Sequence, residues 1–139
     1  MFLCALEDAG LPVSELRVLS PDLAASRHAN GRVAMGRHLG EVWLGHDAPL
    51  PDGLLFTDDM MARGALPVIE RGGLLSGTRP LAICSHVNAG AHVLDEWNGR
   101  IQTVKFNIYE VAETLCKMLA LLMEGRELSS PHMVSPIID

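Results

Sequence analysis

Nothing in this sequence is apolar for long enough to cross a membrane. A spanning helix needs about 18 or more consecutive apolar residues, and the longest run here is only Met118–Met123. Phe2–Leu6 is too short for a signal peptide and runs straight into Glu7-Asp8, so no secretory leader is expected. Basic residues are also few. The chain has 11 Lys and Arg against 17 Asp and Glu, a net charge of −6. They form no stripe or cluster, which makes this chain by itself a poor nucleic-acid binder. Three cysteines, Cys4, Cys84 and Cys116, lie far apart, each within an apolar run. An odd, scattered set of this kind is no disulfide framework and no metal site. It reads as reduced core thiols of a cytoplasmic protein.

Catalytic signatures are missing as well. The sequence has no GxSxG elbow, no phosphate-binding Walker loop and no GxGxxG. His28, His38, His46, His92 and His132 lack metal-ligand spacing and are expected on the surface or in loops. Ser85 and His86 are adjacent, and neighbours on a strand point to opposite faces, so they make no nucleophile–base pair. The expectation is a protein that is not an enzyme and uses no cofactor or metal. A small α/β enzyme built on Asp58 and His86 stands only as a third reading.

At 139 residues, 48% hydrophobic and 20% charged, the chain suits one globular domain with a sizeable core. The most informative stretch is Asp52–Ala65, DGLLFTDDMMARGA. The apolar run Gly53–Phe56 stops at Thr57-Asp58-Asp59, and an amphipathic helix pattern begins at once. A buried strand ending in polar residues at a helix N-terminus is how open α/β proteins build ligand sites. The design recurs at Leu81–Cys84 followed by Ser85-His86-Val87-Asn88.

Around these, Met1–Ala9 reads as the end of an amphipathic helix capped by Gly10. Leu16–Leu19 reads as a short strand. A helix is expected from Ser20 to Leu39, with Leu23, Val33, Ala34 and Leu39 facing inward and Gly40 as its stop. Glu41–Pro51 is expected to be a loop. The helix Asp59–Arg71 presents Met61, Ala65, Val68 and Ile69 at helical spacing and ends at Gly72-Gly73. Residues 86–100 show no clear period. Thr103–Phe106 reads as a strand, Ile108–Glu124 as a helix and Met133–Ile138 as a last strand. The expected fold is α/β, a three-layer sandwich with a mostly parallel sheet. The last two turns of Ile108–Glu124 carry apolar residues nearly all round, which calls for a neighbour beyond this domain.

Taken in order, these pieces resemble the effector-binding domain of the LacI/GalR family of transcription regulators, whose fold is that of the periplasmic binding proteins. Phe2–Leu11 is similar to a helix ending in ALxEAGL, and Asp52–Leu66 to DAIFAANDxMAxGAL. Leu81–Asn88 stands in place of VSVIGFDD, Thr103–Phe106 of TTVRQP, and Glu110–Gly125 of EMGRLAVELLLxLIEG, with Met133–Ile137 as the terminal strand. The resemblance implies the C-terminal lobe of a sensor domain, over residues 1–139. Its helix at 108–124 would pack on a first lobe that, with a helix-turn-helix headpiece, is expected in a longer protein.

It further implies a sugar-like metabolite held between two lobes, a homodimer, and DNA contacted only through the headpiece. This lobe alone is expected to bind effector weakly or not at all. A solute-binding protein, or a standalone binding module of the same fold, is the alternative.

In that frame Asp58 falls at a strand end facing the cleft, where a carboxylate accepts charge-assisted hydrogen bonds from hydroxyls, and Asp59 is assigned to capping; the alternative is that Asp58 and Asp59 both merely cap the helix. His86 is a ligand contact or a backbone-bonded core histidine. Val87 or Asn88 stands where the family carries an acid. Phe106 replaces a polar contact and either stacks on a ligand ring or fills core space. The candidate ligand-binding set is Asp58, His86, Asn88 and Phe106.

Overall fold

The computed structural model describes residues 7–10, 12, 14, 16–18, 29–44, 50–128 and 134–138, excepting the side chains of Ala29 and Trp43. In chain order these form α1 (Ala29–Leu44), β1 (Gly53–Phe56), α2 (Asp59–Arg71), β2 (Ala82–Asn88), a 3-10 turn (Asp95–Trp97), β3 (Gln102–Phe106), α3 (Ile108–Met123) and β4 (Ile137–Ile138). The sheet order is β1-β2-β3-β4. The first three strands run parallel, and β4 joins β3 antiparallel through Val104↔Ile138 and Lys105↔Ile137. The expected α/β architecture with a mostly parallel sheet is therefore present.

One face of the sheet carries the core. Ile83, Ser85 and Val87 alternate inward along β2. They share that interior with Ala62, Ala65, Leu66 and Ile69 of α2, and with Leu81, Leu94, Trp97 and Ile101. Trp97 is pinned from outside, with the Arg100 guanidinium 5.0 Å from its ring centroid and the same arginine 2.6 Å from Glu70 of α2. The inward set of α2 recurs at helical spacing, as its sequence demands. Its termination at Gly72-Gly73 is also as expected, with Gly73 at φ +74°, a conformation glycine adopts without strain. An interior proline, Pro67, does not break α2, because six buried residues of this helix hold it against its neighbours.

The helix α1 differs from the sequence reading. Residues 20–28 lie outside the described set, as do Met1–Leu6 of the first expected helix, whose residues 7 and 8 are helical. From Ala29 the helix runs on through Gly40 to Leu44, where a loop was expected. The reason is packing. Gly36 and Gly40 form the buried face of α1, while Ala34, expected inward, is exposed. A Cβ on Gly36 would sit 2.0 Å from the Met61 carbonyl oxygen, and one on Gly64 of α2 would sit 1.9 Å from that of Val33. These glycines let two helix backbones touch, so Gly40 is a contact residue and not a stop.

Three strand expectations also change. Residues 16–18 are neither helix nor strand. The strand expected at Leu81–Cys84 starts one residue later and continues to Asn88, since half-burial alternates polar and apolar side chains that an apolar-run criterion cuts short. Of the expected last strand, Ile137–Ile138 pairs, residues 134–136 do not, and Met133 lies outside the described residues.

The opposite face of the sheet is more open. A cavity of about 680 Å³ lies there toward the amino ends of the strands, lined by Gly53, Leu55, Ala82, Cys84, Gly99 and Gln102 among others. Burial pushes the Cys84 thiol up from its ordinary range, which keeps it protonated and weakly nucleophilic at neutral pH. The helix α3 stands apart. Asn107 caps it by accepting from the backbone N–H groups of Tyr109 and Glu110, yet none of its residues is buried. Tyr109, Leu115, Leu119, Leu122 and Met123 are all exposed. Among the described residues no helix is long and apolar enough to cross a membrane.

Candidate functional site

Parallel pairing brings the carboxyl ends of β1, β2 and β3 to one rim, because successive parallel strands point the same way. The register fixes who meets whom: Phe56 pairs with Ser85, His86 with Val104, and Asn88 with Phe106. All four candidate residues arrive at this rim. Residues His86 and Asn88 belong to the strand itself, not to a loop after it, and share the face opposite the α2 core.

Asp58 closes β1 and opens α2. It is the N-cap, with extended backbone at φ −142° and ψ 122°, and its Oδ1 accepts from the Met61 N–H at 3.0 Å. Of the two capping readings, the one that includes Asp58 is realised; Asp59, assigned to the cap, is instead the first residue of the helix, where its charge favourably meets the helix dipole. The second oxygen, Oδ2, takes Arg32 Nη1 of α1 at 3.1 Å. Sequence reading missed Arg32, which lies 26 residues away with no local signal to link them. The carboxylate therefore joins three elements at one corner of the rim.

Replacing Asp58 by Ala removes both contacts. We expect a loss of about 1–2 kcal/mol in urea unfolding, since the partly exposed ion pair adds little to the cap. Asp58→Asn, which keeps the capping oxygen, should retain most of the stability.

His86 sits half-buried between the strand ends. Its Nδ1 lies 3.4 Å from the Thr57 carbonyl oxygen, tying the end of β1 to β2. Its ring meets Phe106 edge to face, with centroids 5.1 Å apart and planes at 67°. Ser85, the neighbour, is fully buried on the other face and donates its Oγ–H to the His86 carbonyl oxygen at 3.2 Å. The two side chains therefore form no hydrolytic pair. Beside Ser85, in register on β3, the buried Thr103 is a second polar core residue that no sequence pattern marked. Among the described residues no group of three His, Cys, Asp or Glu is placed to hold a metal ion.

No protein-family model and no curated protein matches this chain. Solved structures do. A regulatory protein of the LacI family from Chloroflexus aggregans superposes with a TM-score of 0.58 and 25% identity, over 99% of this chain and 46% of that one. The chain has the fold of a LacI-type sensor lobe. A protein from Staphylococcus saprophyticus subsp. saprophyticus, assigned as a transcription regulator, has the same fold at a TM-score of 0.54 and 14% identity. It is matched over 98% of this chain and 46% of its own length. The present chain thus spans about half the length of either regulator. Asp58, His86, Asn88 and Phe106 lie at the carboxyl ends of the parallel strands, the end at which open α/β sheets in general take ligands.

Proposed function

We propose that this chain is the effector-binding lobe of a LacI-type transcription regulator, holding a small, sugar-like polar metabolite at the carboxyl ends of β1, β2 and β3. The observation that carries the reading is the convergence of Asp58, His86, Asn88 and Phe106 on one rim, in a fold superposable on a LacI-family regulator. Among the described residues no catalytic pair accompanies them. The effector closes against a second lobe of the longer protein, and the closure shifts a dimer between operator-binding states. DNA is bound through a separate headpiece, in the cytoplasm. Because half of the contacts belong to the second lobe, this lobe alone binds effector only weakly.

The test is backbone chemical-shift mapping of the labelled chain with pooled sugars, nucleosides and amino acids at millimolar concentration. Shifts should cluster at residues 57–58, 86–88 and 106. Shifts confined to the amino ends of the strands, around Ala82, Gly99 and Gln102, would move the site to the cavity there and refute the assignment.

The domain reading assigns α3 to the surface between lobes. Its row of exposed Ile108, Leu115, Leu119 and Leu122 exceeds what an isolated helix on a monomer carries. In the absence of that lobe we expect copies of the chain to self-associate through α3. Light scattering after size exclusion should give a mass above 15.0 kDa, and Leu119→Glu should return it to the monomer. A wild-type chain that elutes as a clean monomer at high concentration contradicts the assignment.

A further inference from the structure

Arg32 stands beside the strand ends against local preference. It lies in the first turn of α1, where the helix dipole disfavours a cation and no acidic residue offsets it. Its Nε is buried and meets no partner among the described residues, an unmade bond that costs stability. A guanidinium has five N–H donors, and among the described residues this one spends a single donor, on Asp58 Oδ2 at 3.1 Å. With the two side chains 41% and 24% exposed, such a pair is weak. Broken local rules of this kind gather at functional positions.

The pair ties together two elements that otherwise meet through backbone. Asp58 Oδ1 caps α2, and Oδ2 holds α1. Behind Arg32, α1 rests on α2 where Gly36 faces the Met61 carbonyl and Gly64 faces that of Val33. The first two turns of α1 contain Asn30, Gly31 and Gly36, residues that favour helix little. Their polar tie to the strand ends is Arg32. A ligand that donates to Asp58 Oδ2 competes with Arg32 for the same oxygen.

We propose that the Arg32–Asp58 pair is a displaceable latch: an effector that takes Asp58 Oδ2 releases Arg32, and the first turns of α1 shift against α2. The inference rests on the effector-site reading above and concerns the regulation of that site, whatever the class of effector. A hydrogen bond to a charged group outweighs an exposed ion pair, so a ligand hydroxyl or amide can open the latch. Small shifts of packed helices are a common way for occupancy to be carried away from a site. The latch also has a thermodynamic signature. Effector must spend binding energy to displace Arg32, so removing Arg32 beforehand tightens binding. An arginine that merely oriented Asp58 for the ligand would give the opposite sign.

The experiment follows backbone amide shifts of the full chain, titrated with the pooled sugars, nucleosides and amino acids named above. In the wild type, a component that moves residues 57–58 should also move Asn30–Arg37. In Arg32→Met the shifts at 57–58 should persist and those at 30–37 should vanish. Affinity for that component should rise about two- to fivefold. Arg32→Gln, also neutral, should repeat this result, and Arg32→Lys, which keeps the charge, should restore part of the α1 response. Without ligand, Asp58→Asn keeps the capping oxygen and loses the charge. It should move the 30–37 signals in the direction that ligand moves them in the wild type. Wild-type shifts at 57–58 with 30–37 unmoved, weaker binding by Arg32→Met and Arg32→Gln, or an unmoved α1 in Asp58→Asn each overturn the latch and leave the effector site standing. If no component moves residues 57–58, the effector site and the latch fall together.

Discussion

Gly64→Ala should cost about 3 kcal/mol or more and lower the melting temperature by about 10 °C. The added methyl would lie 1.9 Å from the Val33 carbonyl oxygen and 2.9 Å from the Arg37 backbone nitrogen. These are main-chain atoms inside a helix and have no rotamer to move to. Relief requires pushing α1 off α2, which opens the backbone-to-backbone contact made by Gly36 and Gly64 together. Against this, alanine gains only about 0.5–1 kcal/mol of helix propensity over glycine, so the clash wins. Gly40→Ala is the control. Its Cβ would come 3.2 Å from a Val68 side-chain carbon, a contact that small shifts relieve, and the propensity gain offsets most of the strain. A thermal melt of both variants should separate them clearly. Equal melting temperatures would show that the two helices do not touch as described.

Leu66→Ala should destabilise the domain by about 2–5 kcal/mol, seen as a lower urea midpoint at unchanged slope. Leu66 has no exposed surface and sits within the cluster of α2, β2 and Trp97 residues. Truncation removes buried methyl groups and leaves a cavity that rigid neighbours fill poorly. Leu66→Met, close in volume, should cost less than about 1.5 kcal/mol. With a total stability of about 5–15 kcal/mol usual for domains, the alanine variant should be measurably unfolded at ordinary temperature when combined with Gly64→Ala.

The legibility of this fold in its sequence was uneven, for physical reasons. The segment from Gly53 to Arg71 reads directly, since a buried strand, a polar break and an amphipathic helix each have a strong local period. β2 was read short because past Cys84 its outward side chains, His86 and Asn88, are polar and its inward ones include Ser85, so no apolar run marks its end. In α1 the buried face is glycine, a residue whose sequence signal is a turn and whose role here is close approach. The rim positions of His86, Asn88 and Phe106 follow from strand ends. The Asp58–Arg32 pair joins residues 26 apart and appears only once α1 lies across the mouth of α2.

The account stands on the claim that these strand ends hold the effector of a transcription regulator. The most direct measurement extends the reading frame upstream to the whole protein and follows its binding to the promoter DNA of its own gene by fluorescence anisotropy. Wild type should change its DNA affinity on adding effector. Variants Asn88→Ala and Phe106→Leu should keep the effector-free affinity and lose that response. A regulator whose response survives both substitutions unchanged, or a whole protein that shows no specific DNA binding, would contradict it.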